Sequence, residues 1–229
     1  MASSMAQIRE PAVAGRFYTG NATQLRREVV AYLAGGDGSD RPVVGVVAPH
    51  AGYVFSGGVA GKVFGSIAVP ERVILLGPNH TGAGKPIAVA PAGSFRIPGA
   101  EVPIDAELAA LVVEEADGAT ADWDAHRNEH SLEVELPFLV ERQPGLRIVP
   151  IVLSRLTEKE VVAFGAALHR AVARVDDDVL VVASSDMSHF LPDELAIARP
   201  HSMHRRLQRA FRHAQVRRGR LERALTFLC

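Results

Sequence analysis

Cysteine is almost absent from this chain. Its one example, Cys229, excludes an internal disulfide framework and a structural zinc site of paired cysteines. That scarcity fits a reducing compartment, with the cytoplasm as the default expectation. No apolar run approaches the roughly 18 residues that a membrane helix needs. The opening stretch, Met1 to Pro11, lacks the basic-then-apolar order of a secretion signal. A membrane partner is therefore not expected. Neither the dinucleotide glycine fingerprint nor the Walker phosphate loop is present, although Gly57-Gly58 opens a helix-like stretch. Ser184-Ser185 lacks the elbow pattern of serine hydrolases. Repeats are missing too, and the longest linker-like segment is Gly35 to Asp40.

What is present is ordinary globular composition: 229 residues, 48% hydrophobic and 22% charged, enough for one large domain with a sizeable core. The net charge of −1 hides an asymmetry. Residues 201–229 hold eight arginines and one acid, Glu222, which leaves residues 1–200 net acidic. The chain thus divides into an α/β domain over 1–200 and a basic, helical tail over 201–229. A basic tail can be a nucleic-acid arm, but this one has no lysine and little aromatic interleaving, so nucleic acid is not the expected partner. A basic amphipathic helix lying on the acidic body, or a truncation or change of reading frame, accounts for the abrupt shift in style.

Short β-branched runs recur at Val43–Val47, Val73–Leu76, Ile87–Val89, Ile148–Leu153 and Val179–Val182. Runs without polar alternation predict strands covered on both faces. Helical spacing predicts helices over Ala22–Leu33, Gly57–Phe64, Ala106–Glu115 (with Asp105 as N-cap), Ser131–Glu141 and Glu158–Val175. Alternation of the two predicts an α/β fold, a mostly parallel or mixed sheet with helices on both faces.

Three of the predicted strands run into polar clusters. Val43–Val47 leads to Pro49-His50-Ala51-Gly52, Val73–Leu76 to Pro78-Asn79-His80, and Val179–Val182 to Ser185-Asp186-Met187-Ser188-His189. Open α/β sheets bind ligands beyond the carboxyl ends of their strands. Neutral imidazole is the commonest first-row metal ligand, and a carboxylate beside two histidines completes a facial set with open positions. The expected ligands are His50, His80 and one of Asp186 or His189, the remaining member serving as general base. A lone histidine at a turn more often bonds backbone; three at three strand ends reverse that balance. A fourth cluster, Asp124 to Phe138, places Glu129 and His130 at a helix start, lining the pocket or capping the helix. His126 and His169 read as surface residues. Cys229 is a thiolate ligand, a redox-labile thiol or an inert terminal residue.

At these residues the sequence resembles the Memo family, including bacterial members known as protein B of the AmmeMemoRadiSam system. The matching stretches are Arg9 to Tyr18, Ala48 to Gly57, Leu76 to His80, Glu129 to Phe138 and Ser184 to Phe190, in the family's order. The resemblance implies a fold similar to class III extradiol dioxygenases. It also implies a redox-active iron or copper site with His50 and His80 as ligands, lined by Asp186 and His189. Family members take a further ligand from a cysteine near the C-terminus, for which Cys229 is the candidate here. They usually continue into Gly-rich sequence and a closing apolar segment, whereas this chain stops at Cys229 after an Arg-rich stretch.

The expected function is a metal-dependent oxidoreductase with His189, Asp186 and His130 in catalytic roles. The alternative is a non-catalytic module that reuses the crevice for metal or a partner, in keeping with the motility signalling described for eukaryotic members. Metal-assisted hydrolysis is the third reading. Expected partners are a small-molecule or peptide ligand, together with the radical-SAM and companion proteins of the same system.

Overall fold

The computed structural model describes residues 7–187 and 189. Its main sheet has six strands in the order β2-β9-β3-β8-β4-β7. They are β2 (Gly45–Ala48), β9 (Val179–Ser184), β3 (Arg72–Pro78), β8 (Arg147–Leu153), β4 (Ile87–Val89) and β7 (Ala119–Ala121). All neighbours are parallel except β4 against β8. A smaller sheet joins β1 (Ile8–Arg9), β5 (Ser94–Ile97) and β6 (Ala100–Pro103) in the order β1-β5-β6.

The helices are α1 (Ala22–Leu33), α2 (Tyr53–Phe64), α3 (Ala106–Glu115), α4 (Leu136–Arg142) and α5 (Glu158–Val172). Parallel crossovers are right-handed, so the direction in which each one steps along the sheet decides which face its helix covers. The β2-α2-β3 and β8-α5-β9 units step in opposite directions. Accordingly α1, α2 and α4 pack together while α3 packs with α5. Covered on both sides, Val73, Ile74, Leu75 and Leu76 of β3 are each no more than 1% exposed. This is the α/β sheet that the β-branched runs predict.

Local chemistry sets most helix starts. Asn21 accepts from the Gln24 amide, Asp105 from the Leu108 amide, and Thr157 with Glu160 closes a reciprocal capping box on α5. Some boundaries differ from the sequence expectation. The first main-sheet strand shifts to Gly45–Ala48, and α2 begins four residues before Gly57. In place of one helix from Ser131, a 3-10 turn over Glu133–Glu135 leads into α4, with Pro137 in its first turn. The Ser131 amide donates to the Glu129 carboxylate, at 2.9 Å. The β5–β6 hairpin went unread because each strand is short. Its turn rests on Gly99, whose φ of +89° is strained for any residue with a Cβ.

Candidate metal centre

Strand order brings the polar clusters together. In the sheet β9 lies between β2 and β3, with Ala48 opposite Ser184 and Ala183 opposite Leu76. His50, Asp186 and His80 each stand two residues beyond the end of their strand, at one edge of the sheet. Carboxylates hold the turns. Asp186 Oδ1 accepts from the amides of His50 (2.7 Å) and Ala51 (3.1 Å). Glu129 accepts from the amides of His80 (2.6 Å), His130 (2.9 Å) and Ser131 (2.9 Å). Gly77 permits the last of these arrangements: a Cβ there would lie 2.6 Å from Leu132 Cδ2 and 2.6 Å from Ser131 Oγ. The 130–132 segment therefore crosses directly over β3.

The result is a cluster of three imidazoles. His50, His80 and His130 each offer one ligand atom, and these atoms lie within 4.8 Å of one another. Ring centroids are 5.2 Å apart for His50 and His80, and 4.6 Å for the stacked pair His80 and His130. His50 Nδ1 is 2.9 Å from Ser184 Oγ, and His80 Nδ1 donates to Glu129 Oε1 at 2.8 Å. Fixing Nδ1 of both rings from behind leaves each Nε2 for a ligand, the usual outer-shell pattern of metal-binding histidines. Burial pushes the His50 imidazolium down to about 4, aided by His80 and His130 and opposed by Asp186. His130 is also lowered, chiefly by burial. Burial alone would raise the Glu129 carboxyl, but hydrogen bonds from His80 and the backbone outweigh it and hold it low. Neutral imidazoles backed by an anion suit a first-row cation, so the residues present fit a metal.

Asp186 and His189 adjoin this group. Asp186 Oδ2 is 3.8 Å from His50 Nε2 and 3.5 Å from His189 Nε2. The His189 side chain is 58% exposed, which places it towards solvent. Cys229 and the basic tail over 201–229 lie outside the described residues.

One expectation fails outright. His126, read as a surface residue, is 1% exposed. Its Nε2 donates to the Ala88 carbonyl at 3.2 Å, and its ring packs edge-on against Phe95 and Trp123. Burial pushes its pKa down to about 4. A neutral, half-apolar ring can serve as core, and the polar neighbours Asp124 and Arg127 mask that in the sequence. His169, also expected at the surface, is half-buried on α5.

Sequence reading also passed over the glutamates behind the centre. Glu133 is fully buried and forms an ion pair with Arg9. It also accepts from the amides of Ala12 (2.8 Å) and Val13 (3.1 Å) and from the Tyr18 hydroxyl (2.5 Å). Arg9 in turn donates to the carbonyls of His126 and Glu129. The N-terminal segment is thereby tied to the loop that carries His130. Glu135 is equally buried, beside Ser184. The available signal was acid residues falling among Leu132, Val134 and Leu136, positions that the apolar pattern sends inward.

Comparison with known proteins identifies the family. The family profile described as Memo-like protein matches residues 9–214. A MEMO1 family protein of Thermococcus onnurineus is 43% identical over 193 residues, covering 81% of this chain and 66% of the relative. One from Aquifex aeolicus is 40% identical over 192 residues, covering 83% of this chain and 70% of the relative. One from Methanobrevibacter smithii is 36% identical over 204 residues, covering 82% and 72%. The chain thus spans just under two thirds of the first of these. Among the described residues no helix is long and apolar enough to cross a membrane. By sequence, the chain belongs to the Memo family.

Proposed function

We propose that this protein is an iron- or copper-dependent oxidoreductase whose metal is held by His50, His80 and His130. The observation that carries the reading is the convergence of three imidazoles within 4.8 Å, two of them oriented from behind through Nδ1. A bound iron or copper would supply electron-transfer and Lewis-acid chemistry at that point. The chain's own residues do the rest. Glu129 fixes the proton of His80 on Nδ1 and compensates positive charge. Asp186, with a side chain 9% exposed, and the exposed His189 form a relay on the His50 side, able to take or give a proton to a small-molecule substrate. His80, with a side chain 41% exposed, keeps the centre open to solvent and ligand. Cys229 is reserved as a further ligand on the family resemblance.

A second reading, a non-catalytic module that binds a partner, draws support from the start of α2. Val54 and Phe55 are 89% and 84% exposed only a few residues after His50. Metal analysis of protein purified without a histidine tag separates the readings. Stoichiometric iron or copper, lost in both His50→Ala and His80→Ala, is the expected result. Zinc would shift the assignment to hydrolysis. Absence of metal from the wild-type protein, with no uptake on reconstitution, would leave only the binding module.

A further inference from the structure

The Ser184 hydroxyl has three polar neighbours and one proton. Its Oγ lies 2.6 Å from the Ser131 carbonyl oxygen, 2.9 Å from Glu135 Oε1 and 2.9 Å from His50 Nδ1. A carbonyl oxygen can only accept, so the shortest contact takes the serine proton. The two remaining contacts are then satisfied only if both neighbours donate: His50 through Nδ1–H and Glu135 through a carboxylic O–H. With Glu135 ionised, two acceptors compete for a single proton and one is left facing a lone pair. Nothing else compensates a charge there. Among the described residues no cation pairs with Glu135, and its Oε2 has no hydrogen-bond partner. The titratable groups around it are Tyr53 on α2, whose hydroxyl donates to the Val134 carbonyl, Asp186 beyond β9, and Glu133 on its own turn. None of them supplies positive charge.

We propose that Glu135 is a buried carboxylic acid, protonated at neutral pH, that positions His50 through Ser184 and releases its proton when the three imidazoles take up a cation. Deep burial and the nearby Asp186 raise this carboxyl to about 8, against a smaller lowering by Ser184, in keeping with the hydrogen count. A divalent cation at His50 is the one new positive charge near Glu135, and it favours the ionised form. On ionising, Glu135 draws the Ser184 proton towards itself. The hydroxyl oxygen becomes a stronger acceptor for His50 Nδ1–H, and the imidazole a stronger donor to the metal. The proton leaves to solvent, so one cation enters and one proton departs. His80 needs no such device, since an ionised Glu129 already stands behind it. The coupling half of the proposal rests on the metal-binding reading, whereas the protonation of Glu135 in the metal-free chain does not.

Infrared difference spectroscopy and proton counting on the full chain and on Glu135→Gln test it. Glutamine keeps a donor aimed at Ser184 and cannot ionise. Metal-free wild type at neutral pH should show the carbonyl stretch of a protonated carboxyl, which vanishes in Glu135→Gln and fades as Co(II) is added. Near pH 7, Co(II) titration in weak buffer should release about one more proton per chain from wild type than from the variant. Wild type lacking that band, or the band surviving in Glu135→Gln, would overturn the assignment. Equal proton release from the two proteins would overturn the coupling. Failure to bind Co(II) at all would defeat the coupling together with the metal reading, and the band in metal-free protein would still decide the state of Glu135. Should the variant not fold, loss of the wild-type band as the pH passes upward through about 8 gives the same decision.

Discussion

Glu133 and Glu135 stand two residues apart, both fully buried, and meet opposite surroundings. Glu133 faces a guanidinium, two backbone amides and a tyrosine hydroxyl, so its charge is matched on every side. Glu135 faces one hydroxyl that has already given its proton away. Burial by itself therefore does not decide the state of a carboxyl. What decides it is whether the enclosing groups can donate. The first glutamate fastens the N-terminal segment to the fold, and the second sits behind the three-histidine cluster, beside Ser184.

The largest expected effect lies at the charged end of this comparison. Glu133→Gln strands a buried Arg9 and should destabilise the chain by about 3–5 kcal/mol in urea or thermal unfolding. Arg9→Met, which strands the glutamate, should do the same. A loss under about 1 kcal/mol in both would mean that the pair contributes little.

The pH dependence comes next. Native Glu135 titrates at about 8, above its ordinary 4.5, so between those values the folded chain keeps a proton that the unfolded chain releases. Unfolding then releases a proton, and stability falls as pH rises through this window. Wild type should lose stability relative to Glu135→Gln by up to about 1.4 kcal/mol per pH unit there. Parallel stability curves for the two proteins would contradict a protonated Glu135. His50 acts in the other direction. Its folded value of about 4 lies below the ordinary 6.5, so its contribution is present above 6.5 and lost as pH falls towards 4. Glu135→Gln should leave that acid limb of the profile unchanged.

A third ionisable glutamate sharpens the contrast at the metal. Glu129→Gln removes the anion behind His80 and should weaken metal affinity roughly 10–100-fold by equilibrium dialysis. An unchanged affinity would separate Glu129 from the centre. The smallest effect is expected from Glu135→Gln at pH 5, where both side chains are neutral donors. Its unfolding free energy should stay within about 1 kcal/mol of wild type.

Legibility followed chemistry that is local in the chain. Strands of continuous β-branched residues, the Asp105 cap and the histidines just past strand ends could be read because turn residues and hydrophobic runs sit beside them. His130 was legible only as one of two alternatives, lining the pocket or capping a helix, because its place depends on Gly77 letting a distant segment cross β3. His126 was misread because its polar neighbours Asp124 and Arg127 face outward while the ring turns in. Glu133 was missed since its partners, Arg9 and Tyr18, are more than a hundred residues away in sequence.

By itself the sequence determined the α/β class, the family pattern and the placing of His50 and His80 just past strand ends, since periodicity, turn chemistry and residue type are properties of neighbours along the chain. The tertiary structure alone decided that β9 enters between β2 and β3, that three histidines converge within 4.8 Å, and that Glu133 and Glu135, two residues apart, meet different partners. Those outcomes depend on which donors and acceptors long-range packing brings within about 3 Å of each other, a distance that sequence spacing does not encode.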